Sequence, residues 1–208
     1  MKVILFCLSL LWLLPVRAEN IGVIVTTIGP ADWFRDGQSL RLGRGDALVA
    51  GDKVVTGTDT RLVLRMNEGS LITLGAGTSL QFTDWHYSKG RSDNAARLDM
   101  AEGFFRFVTG LITQQDHPDL TVATPSGTIG IRGTDFWGGY LDATTLDVVL
   151  LAGSHRLEIS NDYGAVFISS PGDGVSVVAG EKPAAPVTWG REKLQRALQS
   201  VALPDTAL

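Results

Sequence analysis

The sequence of 208 residues holds few side chains able to carry chemistry, and they are scattered. Its three histidines, His86, His117 and His155, lie far apart. Asp84-Trp85-His86 and Asp116-His117-Pro118-Asp119 offer nitrogen and oxygen donors, yet neither sets two histidines at metal-ligand spacing, and a zinc site needs three or four converging ligands. Both therefore read as surface loops. No Ser stands in a Gly-x-Ser-x-Gly elbow, and pairs of carboxylates such as Asp93 with Asp99 need a proximity that spacing does not supply. Arg44-Gly45-Asp46 reads as a plain turn. The pattern predicts no catalytic residue, no cofactor and no metal, hence a chain that is not an enzyme.

Binding groups are better represented. Arg132 stands between Gly130 and Gly133, where its five donors suit the carbonyls of a tight turn or the carboxylate of Asp135. That structural role is the expectation, and recognition of an anion or carboxylate is the alternative. Trp33 and Phe34 fall in a polar stretch, and Trp85 and Tyr87 precede the charged run of residues 88–94. Such rings either cap a core or form a contact surface, since Trp, Tyr and Arg dominate binding hot spots. In Phe104-Phe105-Arg106-Phe107, alternation places Phe105 and Phe107 on one face and Phe104 with Arg106 on the other.

The elements that must position these groups follow from the hydrophobic pattern. Hydrophobic residues make up 44% of the chain and charged residues only 19%, enough apolar material for one core and too little charge for disorder. From Ile21 to Val178 the apolar runs are short, cut by Gly, Asp, Asn and Ser, and of period two. Arg61 to Met66 shows it cleanly, with Leu62, Leu64 and Met66 on one face, before Asn67-Glu68-Gly69-Ser70 turns the chain. Short strands at near-regular spacing predict an all-β domain, solenoid-like or sandwich-like. Residues 181–188 read as a Pro-rich linker, and 189–201 as one amphipathic helix followed by a tail, 202–208. A helix of that length needs a surface to dock on, the β domain or a partner.

At the N-terminus, a basic start, a short apolar run from Val3 to Val16 and Ala18 predict a signal peptide, residues 1–18, cut after Ala18. The run is shorter than the ~20 apolar residues of a spanning helix. Removal would take the single cysteine, Cys7, together with Lys2 and Arg17, leaving a thiol-free β domain at 19–180 and a chain more acidic than the precursor's −4. An acidic chain without a basic stripe is a poor partner for nucleic acid. The expectation is a periplasmic protein with no membrane-spanning segment in its mature form.

Three stretches then fall into a recognisable order. Gly51-Asp52-Lys53-Val54-Val55-Thr56-Gly57 comes first, then an apolar run ending in Glu68-Gly69-Ser70. The third is Thr124-Pro125-Ser126-Gly127-Thr128-Ile129-Gly130-Ile131-Arg132-Gly133-Thr134-Asp135-Phe136. Their order and spacing resemble the FecR domain. That resemblance implies an all-β periplasmic module whose founding members relay a siderophore signal across the envelope to a cytoplasmic sigma factor. It marks Gly51, Asp52, Thr56, Gly57, Gly69, Ser70, Thr124, Pro125, Gly130, Arg132, Gly133, Thr134, Asp135 and Phe136 as motif positions of structural character. This chain departs from those members in showing no sigma-binding region and no spanning helix, so their anti-sigma role does not carry over. The expected function is a non-catalytic module for protein interaction or scaffolding with an envelope protein partner. The alternative is a periplasmic ligand or glycan sensor feeding a signalling system.

Overall fold

The computed structural model describes residues 19–114 and 119–204. The expected signal peptide, His117 and residues 205–208 of the tail lie outside the described residues. Two nine-stranded sheets face one another. Sheet A runs, in spatial order, β18 (Val187–Thr188), β17 (Asp173–Val178), β14 (Thr145–Ala152), β13 (Asp135–Gly139), β10 (Phe104–Val108), β7 (Leu71–Leu74), β6 (Arg61–Met66), β1 (Asn20–Ile28) and β4 (Ala47–Val49). Sheet B runs β16 (Gly164–Ile168), β15 (Leu157–Asn161), β12 (Gly127–Ile131), β11 (Asp119–Thr124), β9 (Ala95–Glu102), β8 (Ser79–His86), β5 (Lys53–Thr56), β2 (Ala31–Arg35) and β3 (Gln38–Arg41). Helix α1, Arg191–Val201, follows the last strand.

Beyond the first few strands, the chain lays one or two strands in one sheet, turns a corner, lays the next in the other, and so advances steadily along the stack. The expected all-β architecture is what forms. Neighbouring strands are antiparallel except β9 and β11, which run parallel because the chain crosses to sheet A as β10 between them.

Period two explains how so much apolar material is buried. Leu62, Leu64 and Met66 of β6, Phe105 and Phe107 of β10, Leu98 and Met100 of β9, and Ile129 and Ile131 of β12 all point between the sheets. The rings of Phe105 and Phe136 meet edge to face with centroids 5.5 Å apart, and Phe107 stacks on Phe136 at 6.0 Å. Phe104 and Arg106 point outward, as alternation requires.

Sheet A also buries part of its outer face. Trp137, Val149, Trp189, Ala197 and Val201 form a second, smaller cluster in which α1 lies on the outside of sheet A. Three polar contacts fix the helix there. Lys193 Nζ lies 2.6 Å from the buried Asp147 carboxylate and donates to Ser176 Oγ at 3.0 Å, and Trp137 Nε1 donates to Ser200 Oγ at 3.0 Å. Lys193 also lies over the Trp189 ring at 4.4 Å. The helix thus docks on its own β domain. The preceding linker is less free than its prolines suggest, for Pro183 is buried, Ala184 N–H donates to the Ser176 carbonyl, and Val187–Thr188 pair with β17.

Glycine is required where Trp189 meets β17. A Cβ on Gly174 would enter the Trp189 indole and stand 2.7 Å from the Val148 carbonyl oxygen. Gly174→Ala is therefore expected to lift the helix and cost about 1–3 kcal/mol, the usual range for overpacking. Urea unfolding followed by far-UV circular dichroism measures it. A variant as stable as the parent would show that the Trp189 contact does not constrain the helix.

Candidate interaction face

The motif positions occupy the corners between sheets. Asp52, fully buried, accepts from Arg35 Nε at 2.5 Å and Nη2 at 2.6 Å, and from the Val49 N–H at 2.9 Å, tying β2 to the bend that enters β5. Thr56 Oγ1 donates to the Gly75 carbonyl at 2.6 Å and accepts from the Thr78 N–H at 2.8 Å. At the next corner Ser70 Oγ accepts from Gly110 N–H at 2.8 Å, while the buried Glu68 carboxylate accepts from the Ser70 and Ile112 amides. Gly51, Gly69 and Gly133 hold φ of +93°, +97° and +96°, the left-handed region in which a Cβ is strained. Thr124 Oγ1 accepts the Ser126 and Gly127 amides, closing the tight turn around Pro125, and Phe136 enters the core. Gly57 leaves room where Pro30 comes close, while a Cβ on Gly130 would meet Glu158 only in ordinary contact.

Arg132 is the exception. The expected partner, Asp135, is taken by Arg106, whose Nε and Nη2 reach its carboxylate at 2.9 and 2.6 Å. The reason is register: Arg106 lies on β10 beside β13, in the same sheet as Asp135, whereas Arg132 leaves the end of sheet B. Arg132 is exposed and has no acceptor among the described residues.

The four candidate contact aromatics separate. Trp85 is only 3% exposed and stacks on Phe107 at 6.4 Å, so it belongs to the core and offers no contact surface. The strand runs on through His86 where the sequence suggests a loop, and a bulge between Phe82 and Asp84 turns the Trp85 ring onto the core side. Trp33 and Tyr87 are half-buried against the core, with the Arg35 guanidinium 4.3 Å above the Trp33 ring. Phe34 alone stands out, 43% exposed on β2, in a stretch that pattern reads as loop.

Phe34 begins a continuous outer face. Register carries one row across sheet B from Ser39 through Phe34, Lys53, Gln81, Asp99, Ala123, Thr128 and Ser160 to Ala165. The next row ends on Phe167, 42% exposed, with the Arg156 guanidinium 4.2 Å from its ring. Helix α1 packs on part of the outer face of sheet A, against β10 and β13, and not on this face of sheet B. Its side chains are mostly polar, Lys53 and Asp99 charged among them, with an aromatic ring toward each end. Beyond them the edge strand β3 is exposed along its whole length, Leu40 at 56%.

Two further features flank this face. A groove of ≈ 730 Å³ opens at the end of the sandwich between Phe104, Pro125, Ser126, Tyr140 and Leu141, with Glu102 at its wall. His86 ties β8 to the following loop. Its Nε2 is 2.5 Å from the Asp93 carbonyl and its Nδ1 is 3.3 Å from Asp84, which also receives Arg97. The Asp93 carbonyl, and then Asp84, hold the imidazole pKa above its ordinary value, while Arg91 draws the Asp93 carboxyl down to about 2. Among the described residues no three metal-ligating side chains converge.

Fold and corners together define a two-sheet β module braced by buried hydroxyls and carboxylates. A family model, FecR protein, matches residues 52–155. The chain belongs to the FecR family. Its fold is shared with two crystal structures of a "putative anti-sigma factor" from Parabacteroides distasonis, each 14% identical with a TM-score of 0.53. The match covers 69% of this chain and 62% of that one, so it spans less than two thirds of its crystallised relative. Comparison with curated protein sequences gives no match.

Two outcomes follow from this geometry. Asp52→Ala leaves the Arg35 guanidinium and a buried amide without their acceptor and is expected to cost about 3 kcal/mol, whereas Arg132→Ala should change stability by less than about 0.5 kcal/mol. Equal effects in urea melts would contradict the division of roles. For His86 the folded pKa is raised, so its clamp is fully present below the unfolded value of about 6.5 and is lost as pH rises through the folded one. Amide exchange in residues 88–94, corrected for intrinsic rates, should accelerate across that window. An identical protection profile in His86→Gln would sink the assignment.

Proposed function

We propose that this protein is a non-catalytic binding module of the cell envelope, exported to the periplasm, which holds a protein partner against the outer face of sheet B. One observation carries the reading: a mostly polar row of side chains crosses all nine strands of sheet B, with the exposed rings of Phe34 and Phe167 toward its two ends, while α1 packs on the opposite sheet. A flat platform of this kind suits an extended surface better than a small molecule, which favours concave sites. Membership in the FecR family and the fold shared with a "putative anti-sigma factor" support a regulatory, signalling-linked role. No helix among the described residues is long and apolar enough to cross a membrane. The module therefore acts through contact, as a relay or scaffold.

The groove supports a second reading, a ligand or glycan sensor. Tyr140, its hydroxyl 3.3 Å from Ser126 Oγ, supplies a ring, and Glu102 supplies an acceptor. Phe104 stacks on Trp137 at 6.1 Å, so an occupant touching Phe104 should shift tryptophan emission. Cell-wall fragments and ferric chelates are the panel, and a flat titration would remove this reading.

A photo-cross-linking residue placed in turn at Gln81, Thr128 and Phe34 on sheet B, and at Leu198 on the helix, tests the first. Cross-links from all three sheet positions to one and the same envelope protein, with none from Leu198, are expected. Products from Leu198 alone, or none from any position, would overturn it.

A further inference from the structure

The family motif contains one residue that the architecture does not use. At its C-terminal stretch Gly133 turns the chain, the Thr134 carbonyl accepts from Thr109, and Asp135 takes Arg106, each serving a corner. Arg132 serves none. It points instead into a small concavity of about 130 Å³ on the outer face of sheet B, lined by Thr121, Gly130, Arg132, Arg156 and Glu158.

Register explains the convergence. Gly130 pairs with Glu158 across β12 and β15, and Thr121 pairs with Gly130 on the other side. Arg132 follows the end of β12 and Arg156 precedes the start of β15, so both lie just past the last ladder pair and line the same concavity. Like charges brought to one small site repel and cost stability. Neither guanidinium has a hydrogen-bond acceptor among the described residues. Arg156 rests on Phe167, which fixes its plane without neutralising it. Asp119, the acidic neighbour on β11, is committed to Arg97. Gly130 adds no side chain to the floor, where a Cβ would meet Glu158 in ordinary contact at 3.6 Å.

We infer that Arg132 and Arg156 form a carboxylate-binding pocket that receives an acidic side chain from an extended segment of the protein partner. The inference rests on the module reading above and names the chemistry of one point on its face. A guanidinium fork matches a planar carboxylate in bidentate fashion, and two of them can share its two oxygens. The size of the pocket admits a carboxylate or a phosphate, but Glu158 on its wall separates these. Its negative charge is tolerated by a singly charged carboxylate held between two arginines and repels a dianionic phosphate more strongly. The platform beside the pocket, with short side chains and the ring of Phe167, accommodates the rest of an extended peptide.

Isotope-labelled protein allows the arginine Nε–H resonances to be followed directly. The probes are a capped pentapeptide with a single central glutamate, its glutamine counterpart, and inorganic phosphate. Saturable shifts of the Arg132 and Arg156 resonances with the glutamate peptide are expected, with the glutamine peptide and phosphate each weaker by roughly tenfold, a difference of one charged contact. R132Q and R156Q should each weaken the glutamate peptide by a similar factor, with circular dichroism confirming an unchanged fold. E158Q should tighten phosphate more than it tightens the peptide, a response that a merely structural arginine pair would not give. Absence of saturable shifts at these two resonances, equal affinity for the glutamate and glutamine peptides, or tighter binding of phosphate would each overturn the pocket. The two readings fail separately: cross-links from sheet B without peptide binding retire the pocket alone, and peptide binding without cross-links retires the module reading alone.

Discussion

A chain that passes repeatedly between two sheets must turn a corner at each passage, and a corner exposes backbone N–H and C=O groups that no ladder reaches. Buried backbone groups of that kind are costly unless paired. Here the pairing comes from a small set of side chains. Asp52 receives the Val49 amide, Thr56 bridges Gly75 and Thr78, Thr60 reaches the Pro30 carbonyl, and Glu68 with Ser70 holds the amides of residues 110 and 112. Everything else in the fold depends on this bracing, because the strands are short and each sheet grows only if the next corner closes at the right angle. It accounts for the chemistry of the family motifs: they are rich in Asp, Thr, Ser and Gly because corners need acceptors and left-handed backbone.

Seen in this light, Arg35 and Arg106 are corner residues as well. Each meets a carboxylate in a two-pronged contact, Arg35 with Asp52 and Arg106 with Asp135, and each joins two strands that are remote in sequence. Arginine suits the task because its planar fork is preorganised for a carboxylate. The aromatic core then fills the space that the corners define. Trp85, Phe107, Phe136 and Phe105 form a chain of ring contacts through its centre.

The β class, the corner positions and most central strands were legible in the sequence because they follow from local rules: alternation in Arg61 to Met66, and glycine at Gly51, Gly69 and Gly133. Strands β2, β12 and β13 were not. Phe34 and Trp33 stand among Asp and Arg, and β12 and β13 are threaded with glycines, so their pattern resembles turns; ladder partners on both sides make them strands. The partner of Asp135 was hidden for a similar reason. Arg132 is close in sequence, but sheet membership decides distance, and Arg106, 29 residues away, is the neighbour in space. Trp85 looked exposed because charged residues follow it, whereas a bulge in β8 between Phe82 and Asp84 brings its ring onto the core side. The outer platform of sheet B carries almost no sequence signal, since it is composed of residues from nine separate strands and exists only once their registers are fixed.

The nearly monotonic order of strands has a temporal meaning. A chain delivered from its N-terminus can add strands one after another to an existing edge, so that each new strand finds its template already in place and few contacts wait for distant sequence. Helix α1 follows every described strand in the chain, and it lies across β10 and β13, which are assembled earlier. Its docking buries Trp137 and Trp189 together. Until then sheet A carries a bare tryptophan on its outer surface, so the burial of that ring marks the arrival of α1 on a sheet whose strands are already in place.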